Sequence, residues 1–333
     1  MEFPAELREK INVLTERENL NALKASAVRL SESYRTESRN GKRGAISRTD
    51  VLAYAAVRMS ATFAAVSKAL ELSLACFDGE IGSILDVGAG TGAGAVAATR
   101  LTGCESISCI EKEKNMLELG RELCECAGVS AIWEQRDISR GISARADLVL
   151  CSYCLNELPE SDRGAVISEL AGAAEKLLVI VEPGTPFSFE DMKRTRRLLL
   201  DKGFAIAAPC PHENACPLPE GDWCHFTART QRSKLHKLLK KADVPYEDEK
   251  FCFLAAVKKA SNVRITGSAR ILRKPVIQSG YVTLALCGAD GIANETVTKK
   301  SPLFKAARKS ESGDTFAGDY ALRGSRIANL DKE

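Results

Sequence analysis

Ile84-Leu85-Asp86-Val87-Gly88-Ala89-Gly90-Thr91-Gly92 runs from a short apolar stretch into alternating glycines, and an Ala-rich segment follows. That order predicts a strand, a tight turn and a helix, because glycine permits positive φ and lets a ligand approach the backbone. Asp86, at the strand end, can orient polar groups of such a ligand. Glu111 follows at the tip of the next expected strand, Ser106 to Ile110. An acid about 20 residues beyond the glycines is placed to accept both hydroxyls of a ribose.

Outward from this turn the hydrophobic period keeps switching. Helix Glu113 to Cys126, strand Ala131 to Glu134, strand Leu148 to Cys151, helix Asp162 to Glu175 and strand Leu177 to Val181 are expected, then helix Phe189 to Leu200, strand Phe204 to Ala207, helix Gln231 to Lys241 and strand Phe251 to Val257. Strands alternating with helices predict an α/β fold, a seven-stranded, mainly parallel sheet covered on both faces. Residues 1–75 read as a helical region, with Leu7, Ile11 and Leu14 at helical spacing, a polar loop from Thr36 to Arg48, and Thr49-Asp50 capping a second helix. The cofactor-type domain spans 76–258 and holds a Cys-rich insertion at 208–230, where no period is evident. Residues 259–333 form a basic, β-rich C-terminal domain with strands Val263 to Leu272 and Tyr281 to Cys287 and a helix near Pro302 to Lys309.

Composition narrows the function. Hydrophobic residues make up 45% and charged residues 27% of 333, an ordinary globular balance that excludes a disordered or collagen-like chain, and no apolar run has spanning length. The N-terminal residues mix acids and bases and lack the apolar centre of a secretory signal, so a cytoplasmic location without a membrane partner is expected. In that setting the 12 cysteines are expected as buried thiols or metal ligands rather than disulfides. Charge divides along the chain. Asp78 to Glu175 holds 8 basic and 17 acidic residues, whereas Lys193 to Glu333 holds 26 basic and 15 acidic. A small-molecule domain followed by a polyanion-facing one has this distribution.

The glycine turn admits two cofactors. Gly90-Thr91-Gly92-Ala93-Gly94-Ala95 satisfies a loose dinucleotide pattern, but the Asp-x-Gly-x-Gly start resembles the S-adenosylmethionine turn of class I methyltransferases, and an antiparallel-looking last strand suits that fold. On this reading Asp86, Gly88, Gly90 and Gly92 surround the cofactor, Glu111 holds the ribose, and Asp137, within Gln135-Arg136-Asp137-Ile138, resembles the acid that contacts adenine. Cys151-Ser152-Tyr153-Cys154-Leu155-Asn156-Glu157-Leu158-Pro159 follows the fourth strand, where an acceptor would meet the methyl donor. It lacks both the Asn/Asp-Pro-Pro-aromatic motif of amino-group enzymes and a Pro-Cys nucleophile. No catalytic residue is assigned, and alignment of donor and acceptor could carry much of the reaction.

A second constellation is Cys210-Pro211-His212-Glu213-Asn214-Ala215-Cys216-Pro217-Leu218 with Trp223-Cys224-His225-Phe226. Three cysteines in a proline-stiffened loop suit a soft metal or an iron–sulfur cluster. Close Cys-x2-4-Cys pairs are missing, which ranks zinc below the cluster. A fourth ligand is open among His212, His225, Cys252 and Cys287.

These motifs, with Tyr54-Ala55-Ala56-Val57-Arg58-Met59, Leu155-Asn156-Glu157-Leu158, Glu182-Pro183-Gly184-Thr185-Pro186 and Glu295-Thr296-Val297-Thr298, resemble the Rsm-twenty-two type proteins of the small ribosomal subunit. The resemblance implies a class I methyltransferase fold bearing a 4Fe-4S cluster held by Cys210, Cys216, Cys224 and Cys287, and association with small-subunit rRNA during assembly or translation. Mitochondrial relatives begin with a targeting segment, so this chain is expected to resemble the bacterial members. The expected activity is S-adenosylmethionine-dependent rRNA methylation, the alternative a non-catalytic assembly factor, and the free protein is expected as a monomer. Basic runs at Lys193 to Arg197, Arg229 to Lys241 and Lys299 to Lys309 would supply phosphate affinity without sequence selectivity. With 6% aromatic residues, base stacking is limited and structured RNA would be bound by shape.

Overall fold

A computed structural model describes residues 1–36, 46–241, 243–264, 268–316, 320–323 and 326–329. Most of the polar loop expected between Thr36 and Arg48, and parts of the C-terminal domain, lie outside the described residues. The chain opens with α1 (Ala5–Glu16), α2 (Leu20–Thr36) and α3 (Arg48–Tyr54). The cap of α3 is Ser47 rather than Thr49-Asp50: its hydroxyl accepts from the Asp50 amide, and Asp50 accepts in turn from the Ser47 amide, at 3.2 and 3.0 Å. Such a reciprocal pair satisfies two orphan helix donors at once. A π-helical turn, Ala55–Met59, joins α3 to α4 (Ser60–Ala75). Among the described residues no helix is long and apolar enough to cross a membrane.

The alternating part follows as β1 (Ile84–Val87), α5 (Ala93–Thr102), β2 (Ile107–Glu111), α6 (Lys114–Cys126), β3 (Ala131–Gln135), β4 (Ala146–Ser152), α7 (Glu160–Ala173), β5 (Ala174–Pro183), α8 (Pro186–Asp201), β6 (Ala205–Ala208), β7 (Phe226–Gln231), α9 (Lys234–Lys240) and β8 (Tyr246–Val257). The sheet order is β3-β2-β1-β4-β5-β8-β6, with β8 antiparallel to both its neighbours. Seven of these strands are the expected ones. The eighth, β7, ends the Cys-rich insertion, where no period was legible: Phe226–Gln231 alternates buried and exposed residues and pairs antiparallel with the first half of β8. Six residues give that alternation too little length to stand out beside the prolines before it.

Successive strand residues point to opposite faces, and the core divides accordingly. Leu148, Leu150, Leu177 and Val179 join a core built with α1 to α6. Val149, Cys151, Leu178 and Ile180 join another with α7 and α8. The buried α4 packs against α5, β7 and β8, so the N-terminal region is a layer of the main domain.

Beyond β8 lies a second, antiparallel sheet: β9 (Ala269–Ile271), β10 (Val276–Ile277), β11 (Tyr281–Gly288), β12 (Gly291–Thr298) and, after α10 (Phe304–Lys309), β13 (Thr315–Phe316). β11 and β12 form a hairpin closed at Gly288 and Gly291. Of the expected strand from Val263 to Leu272, residues 265–267 lie outside the described residues and Ala269–Ile271 is strand. A further two-stranded ribbon joins β14 (Tyr320–Arg323) to β15 (Arg326–Asn329).

Candidate cofactor cavity and cysteine cavity

At the C-terminal edge of the parallel strands, where open α/β sheets bind ligands, lies a cavity of about 730 Å³. Gly88, Gly90, Glu111, Asp137, Tyr54 and Tyr153 are among its walls. Glu111 accepts the Gly90 amide on one carboxylate oxygen and the Glu113 amide on the other, both at 2.8 Å. It therefore ties the glycine turn to the tip of β2. Burial raises its pKa, while these amides pull the other way. At Asp137 burial would also raise the pKa, but the amide and hydroxyl of Ser139, donating at 3.0 and 2.8 Å, bring it below the usual carboxylate value.

Asp86 and Gly92, also expected around the cofactor, are not among the walls of this cavity. Asp86 is fully buried beneath the first turn of α5, where a Cβ on Gly94 would stand 2.6 Å from its Oδ2. Its carboxylate makes no hydrogen bond of regular geometry. Burial raises its pKa to about 7, which the approaching Ala95 amide only partly offsets. Gly92 has φ +80, and a Cβ there would lie 2.5 Å from Cys124 Sγ. Both residues shape the turn from behind.

The loop after β4, expected where an acceptor would meet the methyl donor, is closely held. Tyr153 adopts φ 55, unusual for a non-glycine residue. Its hydroxyl donates to Glu249 Oε1 at 3.1 Å, and Arg58, from the π-helical turn, forks onto both oxygens of Glu249 at 3.1 and 2.8 Å. Glu182, at the end of β5, accepts the amides of Cys154 and Leu155 on Oε1 at 3.1 and 2.9 Å. Burial, with the charge of Glu157 adding to it, lifts Glu182 to about 8.

The cysteine loop bounds a different cavity, about 630 Å³, between α8, β8 and the second sheet. Cys210, Cys216, Cys224 and Cys287 are all in its walls, and so is Cys252. Burial pushes up the thiols of Cys210, Cys224 and Cys287, the last to about 12, and the neighbouring sulfurs add to the effect. Two buried guanidiniums share the walls. Arg196 donates to His212 O at 2.7 Å, and Arg270 donates to Pro209 O and Gly313 O, both at 2.6 Å. Of the two histidines in the loop, His212 places Nε2 3.7 Å from Cys287 Sγ, whereas His225 stacks on Trp223 and is no wall of the cavity. Among the described residues no three His, Cys, Asp or Glu side chains converge closely enough to hold a single metal ion.

Strand order and glycine turn together define a protein of the class I methyltransferase fold, extended by helices at one end and an antiparallel sheet at the other. The family model described as mitochondrial small ribosomal subunit Rsm22 matches residues 48–317, and the chain belongs to that family. It is 26% identical over 289 residues to the human mitochondrial ribosome assembly protein METTL17, covering 79% of this chain and 61% of that protein. It is also 26% identical over 182 residues to the mitochondrial Rsm22-cox11 tandem protein 2 of Schizosaccharomyces pombe, covering 42% of this chain and 24% of that one. Among solved structures, magnesium protoporphyrin IX methyltransferase from Synechocystis PCC 6803 with bound SAH aligns over 70% of this chain and all of its own, at 13% identity and a TM-score of 0.40.

Proposed function

We propose that the chain binds S-adenosylmethionine in the cavity below Gly88 and Gly90 and acts on the RNA of the small ribosomal subunit, or on its assembly, as a methyltransferase-fold protein. The observation that carries this reading is the meeting of Gly88, Gly90, Glu111 and Asp137 at one cavity on the ligand-binding edge of the sheet. Carboxylate oxygens have lone pairs beyond those taken by backbone amides, so Glu111 can brace the turn and still accept ribose hydroxyls. Asp137 would face the adenine end. Calorimetric titration with S-adenosylhomocysteine tests the cofactor, and transfer of labelled methyl to immature small subunits tests the chemistry. Saturable binding is expected, and no binding would overturn the reading.

A second reading, a ligand-bound assembly factor without turnover, is favoured by the engagement of both wall carboxylates in hydrogen bonds to their own turns. Binding without transfer would select it. Either way the free protein is proposed to be a cytoplasmic monomer, which size-exclusion and fractionation would check.

We propose a 4Fe-4S cluster on Cys210, Cys216, Cys224 and Cys287, a reading supported by their sharing the walls of one cavity. Buried thiols that repel one another's charge call for a cation among them, and two buried arginines balance the excess negative charge of a thiolate-ligated cluster. When bound, such a cluster would cross-link the insertion to β11. Anaerobic preparations should be brown, with equal iron and acid-labile sulfide, whereas a colourless protein with stoichiometric zinc would overturn the assignment.

A further inference from the structure

Between α7, α8 and the short turn Leu155–Glu157 lies a third cavity, about 770 Å³ and open to solvent, which has no wall residue in common with the cofactor cavity. Most polar groups in its walls are paired. Arg163 donates to Leu158 O at 3.1 and 2.9 Å and pairs with Asp191, and Ser188 accepts from the Thr185 hydroxyl. Two buried oxygens, Glu182 Oε2 and Asn156 Oδ1, make no hydrogen bond of regular geometry, although the Asn156 backbone amide approaches the Glu182 carboxylate. Glu182 is only 3% exposed. Unmet buried acceptors are costly, so two in the residues of one wall mark a place for a guest with matching polar groups.

The chemistry of the match follows from how Glu182 is held. Oε1 already accepts two amides, so the proton of the neutral acid belongs on Oε2. With its pKa raised to about 8 by burial, Glu182 is largely neutral at pH 7. Glu182 thus supplies an O–H donor and Asn156 a C=O acceptor, both buried within the wall of this cavity. An amidine edge complements that pair, its ring nitrogen accepting and its exocyclic amine donating. Cytosine and adenine carry such an edge, whereas uracil and guanine present a ring N–H beside a carbonyl. Arg194, exposed on α8 and paired with Glu160 and Asp191 at 2.6 and 3.0 Å, is also a wall residue, where a phosphate would compete with those carboxylates.

We propose that this cavity receives an unpaired nucleobase by its amidine edge, cytosine or adenine, with Asn156 accepting from the exocyclic amine and Glu182 donating to the ring nitrogen. The inference deepens the RNA-directed reading above and rests on it for the polymer that supplies the base. The turn Leu155–Glu157 and its flank separate this cavity from the cofactor cavity, so the base would lie on the acceptor side of the sheet edge.

The test titrates the full chain at pH 7 with CMP, AMP, UMP and GMP, with and without S-adenosylhomocysteine. Ribose and phosphate are common to all four, so the differences report the base. CMP or AMP should bind at least tenfold tighter than UMP and GMP. Glu182→Gln should keep that preference, because its amide N–H replaces the acid O–H, and Glu182→Met should reduce it to within about twofold. Asn156→Leu provides a second loss variant if Glu182→Met fails to fold. Glu157, Cys154 and Cys252 face Glu182, and the Arg163–Asp191 pair stands across the cavity. Both thiols are held well above their ordinary range. The wild type should therefore lose the preference by pH 9, as Glu182 ionises, while Glu182→Gln retains it. Equal affinities for the four nucleotides, or identical behaviour of the Gln and Met variants, would overturn the proposal. Base preference without S-adenosylhomocysteine binding would uphold it and remove the methyl-donor reading instead.

Discussion

Asp86 and Glu182 are carboxylic acids held where their charged forms are disfavoured, with pKa values raised to about 7 and about 8 from ordinary values of 3.8 and 4.5. The native state therefore binds more protons than the unfolded chain across this range. Their contribution to stability is complete below the ordinary values and is lost as pH rises through 7 and 8. From these two groups the melting temperature should fall from about pH 4 to pH 8 and level off above it, and Asp86→Asn should flatten the fall, which differential scanning calorimetry across buffers would show. Gly94→Ala tests the same contact sterically. Alanine gains about 1 kcal/mol of helix propensity, but its Cβ would lie 2.6 Å from Asp86 Oδ2 and 2.7 Å from Leu150 Cδ2. Overpacking costs about 1–3 kcal/mol, so a net loss of stability in urea is expected.

The π-helical turn is the element that joins the N-terminal helices to the cofactor cavity. Its Arg58 reaches Glu249 on β8, and Glu249 receives Tyr153 from the loop after β4. Arg58→Met should cost about 2 kcal/mol, the scale of a hydrogen-bonded charged group, and should weaken S-adenosylhomocysteine binding because Tyr153 loses its anchor. Tyr153→Phe should weaken binding with a smaller loss of stability, read by the same titration and melts. This network was not legible in the sequence. Arg58 and Glu249 lie far apart in the chain, and only the fold makes them neighbours. The glycine turn was legible because its parts are contiguous, with strand, glycines and helix each leaving a local pattern. Asp86 and Gly92 show the limit of that legibility. A motif points to a candidate ligand turn, but which of its residues border the cavity depends on the helix packed behind it.

At the scale of the whole molecule, charge divides into an acidic stretch through the cofactor sheet and a basic C-terminal half. If the latter half carries RNA, affinity for small-subunit rRNA fragments should fall linearly in log–log plots against salt, with each phosphate contact contributing about −0.9 to the slope for duplex regions. A filter-binding series from low to high salt measures it, and a flat plot would remove the basic runs from the interface. Arg270 reaches from β9 to Pro209 O, to Gly313 O and, at 3.7 Å, to Cys76 Sγ. One guanidinium thus gathers four segments far apart in the chain. Since translation delivers Arg270 and Cys287 well after Cys210, Cys216 and Cys224, a nascent chain carries the proline-stiffened loop for some time without its far wall. Completion of this chamber is therefore a late event in the protein's own synthesis, and truncation within the final sheet would leave the loop without a partner even where the upstream sheet has already formed.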